Sequence, residues 1–116
     1  MTASKRTFTF EEARRALPLV RARTEKALQA LAEVETGGDE AGDEEGEKAR
    51  ERLERAAAEI LEAWARDVTS LGIEVKGPWL VDFDSGAGYY CWKWPEESLE
   101  FFHGYDEGFA GRIRIQ

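Results

Sequence analysis

Residues 72–103, GIEVKGPWLVDFDSGAGYYCWKWPEESLEFFH, decide the fold. Before Gly72 the apolar residues recur at helical spacing, and from Ile73 onward they recur at every second position. Ile73–Lys76, Trp79–Phe83, Tyr89–Lys93 and Leu99–His103 read as strands, separated by the turn-forming runs GP, DSGAG and WPEES. Turns this short imply sequential antiparallel pairing, and Arg112–Ile115, with its Arg-Ile-Arg-Ile alternation, reads as a fifth, edge strand. Ten of the chain's aromatic residues (6 Phe, 4 Trp and 3 Tyr in all) fall after Gly72.

Upstream, Thr9 and Glu12 form a capping box that starts the first helix, with Phe8 placed to staple onto Ala13. Ala13, Leu17, Val20, Thr24, Ala27, Leu31 and Val34 follow at alternating steps of four and three, a heptad seam interrupted by Thr24. Pro18 removes one backbone bond and predicts a kink in a single helix over 8–36. The run GGDEAGDEEG at 37–46 is acidic and lacks large apolar residues, so it reads as a flexible, solvated linker. A second helix over 47–71 carries Leu53, Ala57, Ile60, Trp64, Val68 and Leu71 on one face, and Gly72 supplies its left-handed cap. The expected architecture is α+β, one domain over 1–116: an antiparallel helical hairpin packed on a four- to five-stranded antiparallel meander over 73–116. An Ala-rich hairpin buries little area by itself and needs the sheet or a second copy.

The formal charge of −8, with 24 acids against 16 bases, argues against nucleic acid, whose phosphates demand clustered Lys and Arg. The basic residues Arg14, Arg15, Arg21 and Arg23 on the first helix read as a solvated or salt-bridged surface. One cysteine excludes an internal disulfide. No stretch is apolar enough for a signal peptide or a membrane span, so a cytoplasmic location is expected.

The chemistry concentrates in Tyr89–Arg112, which holds the only Cys, the only His and all three Tyr. His103 is the sharpest feature, because imidazole can serve as a general base or a metal ligand. With loops at 84–88 and 94–98 closing symmetric hairpins, Phe83 faces Tyr89 and Tyr89 faces His103. Cys91 then shares a face with His103, while Asp82 points to the other side. A metal set of His103, Cys91 and Asp106 follows if Asp106 turns inward, although no CxxC or HxxxH spacing supports zinc. The bland reading of His103 is a strand-end side chain bonded to a turn carbonyl. The run GYDEGFAGR at 104–112 is glycine-rich enough to approach a ligand, with Tyr105, Asp106, Glu107 and Arg112 as candidate ligand-binding residues. Its bland reading is a structural turn in which Arg112 pairs with Asp106 or Glu107. Cys91, between Tyr90 and Trp92, reads as a buried thiol rather than a nucleophile. No cofactor is implied beyond that divalent metal.

Phe8-Thr9-Phe10-Glu11-Glu12-Ala13 and Leu17-Pro18-Leu19-Val20-Arg21 resemble the opening of an uncharacterised bacterial family, domain of unknown function 2203. Leu80-Val81-Asp82-Phe83, Cys91-Trp92-Lys93, Phe102-His103 and Gly108-Phe109-Ala110-Gly111-Arg112 are similar to its later motifs, in order. The chain departs from the family at Pro95-Glu96, where Gly-Glu is typical, and at Phe102, where Trp is common. The resemblance implies the domain limits and no activity.

Two functions compete. One is an oligomeric binding or scaffolding module, most simply a homodimer or a complex with a protein partner. It would use the helical seam and an open sheet face carrying Tyr90, Trp92, Trp94 and Phe102. The other is a ligand- or metal-binding, or catalytic, domain with His103, Asp106, Glu107 and Arg112 beside an aromatic pocket. No reaction is named by either.

Overall fold

The computed structural model describes residues 6–40 and 46–115. Helix α1 spans Phe10–Glu40 and α2 spans Gly46–Thr69. The strands are β1 (Glu74–Gly77), β2 (Leu80–Asp84), β3 (Tyr89–Lys93), β4 (Phe101–His103) and β5 (Ile113–Arg114), with one 3-10 turn at Phe109–Gly111. The strands form one antiparallel meander in chain order. This is the expected α+β arrangement.

The capping box starts α1: Thr9 Oγ1 accepts the Glu12 N–H at 3.0 Å, and Glu12 Oε1 accepts the Thr9 N–H at 3.0 Å. The helix passes through Pro18 and continues to Glu40, four residues into the expected linker. Gly37 and Gly38 weaken a helix by about 1 kcal/mol each but do not stop it as proline would. The rest of that linker, 41–45, lies outside the described residues. Arg23 pairs with Asp67, and Trp64 Nε1 donates to Thr24 Oγ1 at 2.8 Å, so the helices run antiparallel. Thr24 is therefore not a flaw in the seam: it is the buried acceptor for the indole, and its own hydroxyl donates to Val20 O at 2.8 Å. At the end of α2, Gly72 takes φ +85°, and a Cβ there would meet Arg6 at 2.9 Å.

One sheet face packs on the hairpin. Val81, Phe83 and Trp92 join Phe8, Ala13, Leu17, Val20, Trp64, Val68 and Ile73 in the core, with Tyr90 and Trp94 packed against it. Phe8 meets Phe83 edge-on at 5.3 Å, and Phe10 meets Tyr90 at 5.5 Å. The expected open aromatic face is thus corrected: Tyr90, Trp92 and Trp94 point to the helices, and Phe102, opposite Tyr90 in the register, packs its ring 5.7 Å from it.

The reason is a single residue of register. β2 runs on to Asp84, which pairs with Tyr89, so the loop is the four residues 85–88 rather than five. Asp84 Oδ1 accepts the Gly86 N–H at 2.8 Å and Gly88 O accepts the Ser85 N–H at 2.8 Å, closing it. Gly88 must be glycine here, because a Cβ would sit 2.4 Å from the Phe102 ring. A one-residue change in register swaps the faces of a whole strand. Val81 and Phe83 therefore share the helix-facing side with Tyr90 and Trp92, and Asp82 shares the opposite side with its partner Cys91.

Candidate metal centre

The face turned away from the helices is polar. Asp82 and Asp84 from β2, Tyr89 and Cys91 from β3 and His103 from β4 are all buried on it. The segment after His103 lies over them. β1 adds Glu74, opposite Asp82, and Lys76, two residues further along the strand, whose Nζ reaches the same side.

At the centre, one ligand atom each of Asp82, Cys91 and His103 lies within 4.8 Å of the others, and all three residues are buried. The proton count at His103 is the telling detail. Nδ1 lies 2.8 Å from Gly104 O, a carbonyl that can only accept, so Nδ1 carries a hydrogen. Nε2 lies 3.0 Å from Asp82 Oδ2, 3 % and 2 % exposed at the side chains. A neutral imidazole would point a lone pair at a carboxylate lone pair, so this contact needs a cation between them, either a proton or a metal ion. Among the described residues Asp82 Oδ1 is buried without a hydrogen-bond partner, an unusual state for a carboxylate oxygen.

The surroundings keep Cys91 a thiol in the absence of a cation. Burial, reinforced by the neighbouring Asp82 charge, pushes it up to about 12, while Arg112 acts in the opposite sense. Lys76 Nζ reaches Asp82 Oδ2 at 3.2 Å and sits 3.9 Å over the Tyr89 ring. Burial disfavours its charge, but Asp82, Tyr89 and Glu74 outweigh that and hold its pKa above the usual lysine value. Tyr89 OH donates to Glu74 at 2.9 Å, and Tyr105 OH donates to Asp84 at 2.6 Å, which with burial pushes Tyr105 up to about 12.

A cavity of about 390 Å³ opens beside these groups, lined by Lys76, Leu80, Asp82, Cys91, His103, Glu107, Gly108 and Phe109. A larger one, about 480 Å³, lies between the helices, but its charged groups include the Arg23–Asp67 pair and it holds no Cys or His.

Of the residues expected from sequence, His103, Cys91 and Glu107 come together. The carboxylate beside them is Asp82, whereas Asp106 lies on an exposed turn. Arg112 pairs with Glu96 at 2.8 Å, not with Asp106 or Glu107. Its guanidinium is stacked 3.9 Å from the Phe101 ring and 4.0 Å from that of Phe109. Glu107 is exposed and folds back on its own turn, accepting the Gly104 N–H at 2.8 Å.

The family model described as "Uncharacterized conserved protein (DUF2203)" matches residues 6–115. The chain belongs to this family. Every strand and both helices of the domain of unknown function 2203 thus fall inside the match, the site included. No curated protein and no solved structure matches the chain. Among the described residues, no helix is long and apolar enough to cross a membrane.

Proposed function

We propose that this chain is a metal-binding domain that holds one divalent transition-metal ion of the zinc class through Asp82, Cys91 and His103. The carrying observation is the buried set of three ligand atoms, one each from Asp82, Cys91 and His103, all within 4.8 Å of one another. One sulfur, one imidazole nitrogen and one carboxylate oxygen suit zinc or a neighbouring first-row ion and not magnesium or calcium, which take oxygen ligands. A tetrahedral ion with bonds of about 2.0 Å to N and O and 2.3 Å to S has edges of roughly 3.3–3.5 Å. The present separations, up to 4.8 Å, close to that with small side-chain movements. The Gly104 carbonyl fixes the tautomer that presents Nε2, the usual role of a second partner behind a ligating histidine. Arg112 beside Cys91 favours the thiolate that a metal requires.

The test is thermal unfolding of chelator-treated protein with and without zinc. At a hundredfold excess over Kd, binding stabilises by about 2.7 kcal/mol. For 116 residues that raises Tm by roughly 10 °C. Cys91→Ala and His103→Ala should lose the shift, and Asp106→Ala should keep it. A wild type indifferent to zinc, or an equal shift in all variants, overturns the reading.

A homodimer through the outer hairpin is a second reading, with a single observation behind it. Beyond Thr24 and before Trp64 no described side chain of the hairpin is fully buried, and Leu31, Val34, Leu53 and Ile60 stay half-exposed. The sheet does not cover them, and a second copy of the same hairpin would. A concentration-independent mass of 13.1 kDa in light scattering would refute it. A reducing, cytoplasmic setting suits both readings, because it keeps Cys91 a free thiol.

A further inference from the structure

Three protein ligands leave one position of a tetrahedral ion to be filled. Structural zinc sites close that position with a fourth side chain, and sites that do chemistry leave it to water or substrate. Here the cavity of about 390 Å³ lies against all three ligands, so the unfilled position faces open space and not packed protein. Among the described residues Glu107 is the one further carboxylate on the cavity wall. Its Oε1 is engaged with the Gly104 N–H at 2.8 Å, and its stem is packed against Gly111, where a Cβ would come within 3.0 Å of the Glu107 Cβ. That arrangement holds Glu107 to its own turn and away from the ion.

The other wall residues indicate what enters. Lys76 places an ammonium 3.2 Å from Asp82 Oδ2 and 3.6 Å from Glu74 Oε1, and coordination of the Asp82 oxygen to a metal would leave the ammonium held at the cavity wall by Glu74, where it can also face an incoming anion. Leu80, Gly108 and the half-exposed ring of Phe109 make the remaining wall apolar. With Cys91 as thiolate and Asp82 ionised, a divalent ion at the site is neutralised, so the attraction for an anion comes from Lys76 and from the metal's open valence.

Resting on the metal-binding reading above, we infer that the fourth coordination position stays open to this cavity and accepts an exogenous small Lewis base. Water fills it by default, and a small monoanion replaces the water next to Lys76. The site is then of the exchange type, able to bind and polarise a ligand, and is not only a staple for the sheet.

Cobalt(II) is the probe of choice, because its visible bands report ligand number and a thiolate-to-cobalt charge-transfer band reports Cys91. Chelator-treated protein loaded with cobalt is titrated with sodium azide. The bands should change saturably with one azide per cobalt. Lys76→Gln should need roughly fivefold more azide, the effect of one nearby charge. Glu107→Gln should retain the azide response. Cobalt bands that ignore azide in the wild type but respond in Glu107→Gln would identify Glu107 as a fourth ligand. That result overturns this inference and leaves the metal reading intact. If cobalt gives no charge-transfer band at all, the metal reading itself fails, and this inference with it.

Discussion

Replacing Thr24 by valine removes one oxygen from the core and changes almost nothing else, since the two side chains are nearly isosteric. In the wild type Thr24 is 0 % exposed, Trp64 is 3 % exposed, and the indole N–H donates to Thr24 Oγ1 at 2.8 Å. Valine leaves that N–H buried with no acceptor. An orphaned buried donor costs about 1–3 kcal/mol. The lost Thr24 bond to Val20 O adds little, because that carbonyl also serves the helix ladder. The unfolding entropy of 116 residues is about 0.24 kcal/mol per degree, so Tm should fall by roughly 4–12 °C. Circular dichroism of Thr24→Val, Trp64→Phe and the double variant isolates the coupling. In the Trp64→Phe background Thr24→Val should cost far less, because no donor remains to be orphaned. A Tm change under about 1 °C, or the same cost in both backgrounds, would refute the argument that Thr24 is there for Trp64.

Thr9→Ala should destabilise by about 0.5–2 kcal/mol, read by urea unfolding, because the Glu12 N–H loses its acceptor Thr9 Oγ1 while only the backbone bond from residue 9 to Glu12 remains. Cys91 makes the metal-free protein alkali-sensitive. Its pKa rises from 9.0 to about 12 on folding, so the unfolded chain sheds the proton first, and stability is full below pH 9 and falls above it. The loss is about 1.4 kcal/mol per pH unit at most, and Cys91→Ala should flatten the slope measured between pH 9 and 10. Arg112→Ala should cost about 1–3 kcal/mol in the same urea assay, because it takes the charged partner from Glu96 Oε2, leaving that carboxylate, among the described residues, only the Lys93 N–H, and removes the cation between Phe101 and Phe109.

The elements were legible because their signals are local. The Thr9–Glu12 pair, the four-and-three seam from Ala13 to Thr24 and the glycine at 72 each act within a turn or two of helix, and the structure uses all of them. The site was half legible. His103 and Cys91 share a face through the β3–β4 register, which the sequence reading had right. Asp82 was placed on the wrong side because a hairpin with DSGAG can close over four residues or five, and parity decides which side chains face the core. An available signal was that Val81 and Phe83 join Tyr90 and Trp92 in one continuous apolar face only when the loop has four residues. The role of Arg112 was not legible, because Glu96 lies in a separate loop, brought close only by the finished sheet.

X-ray absorption at the zinc edge of protein loaded with one equivalent of zinc tests the central claim most directly. The account predicts one sulfur at about 2.3 Å and three nitrogen or oxygen neighbours at about 2.0–2.2 Å. A shell of oxygen and nitrogen without sulfur, unchanged in Cys91→Ala, would contradict it.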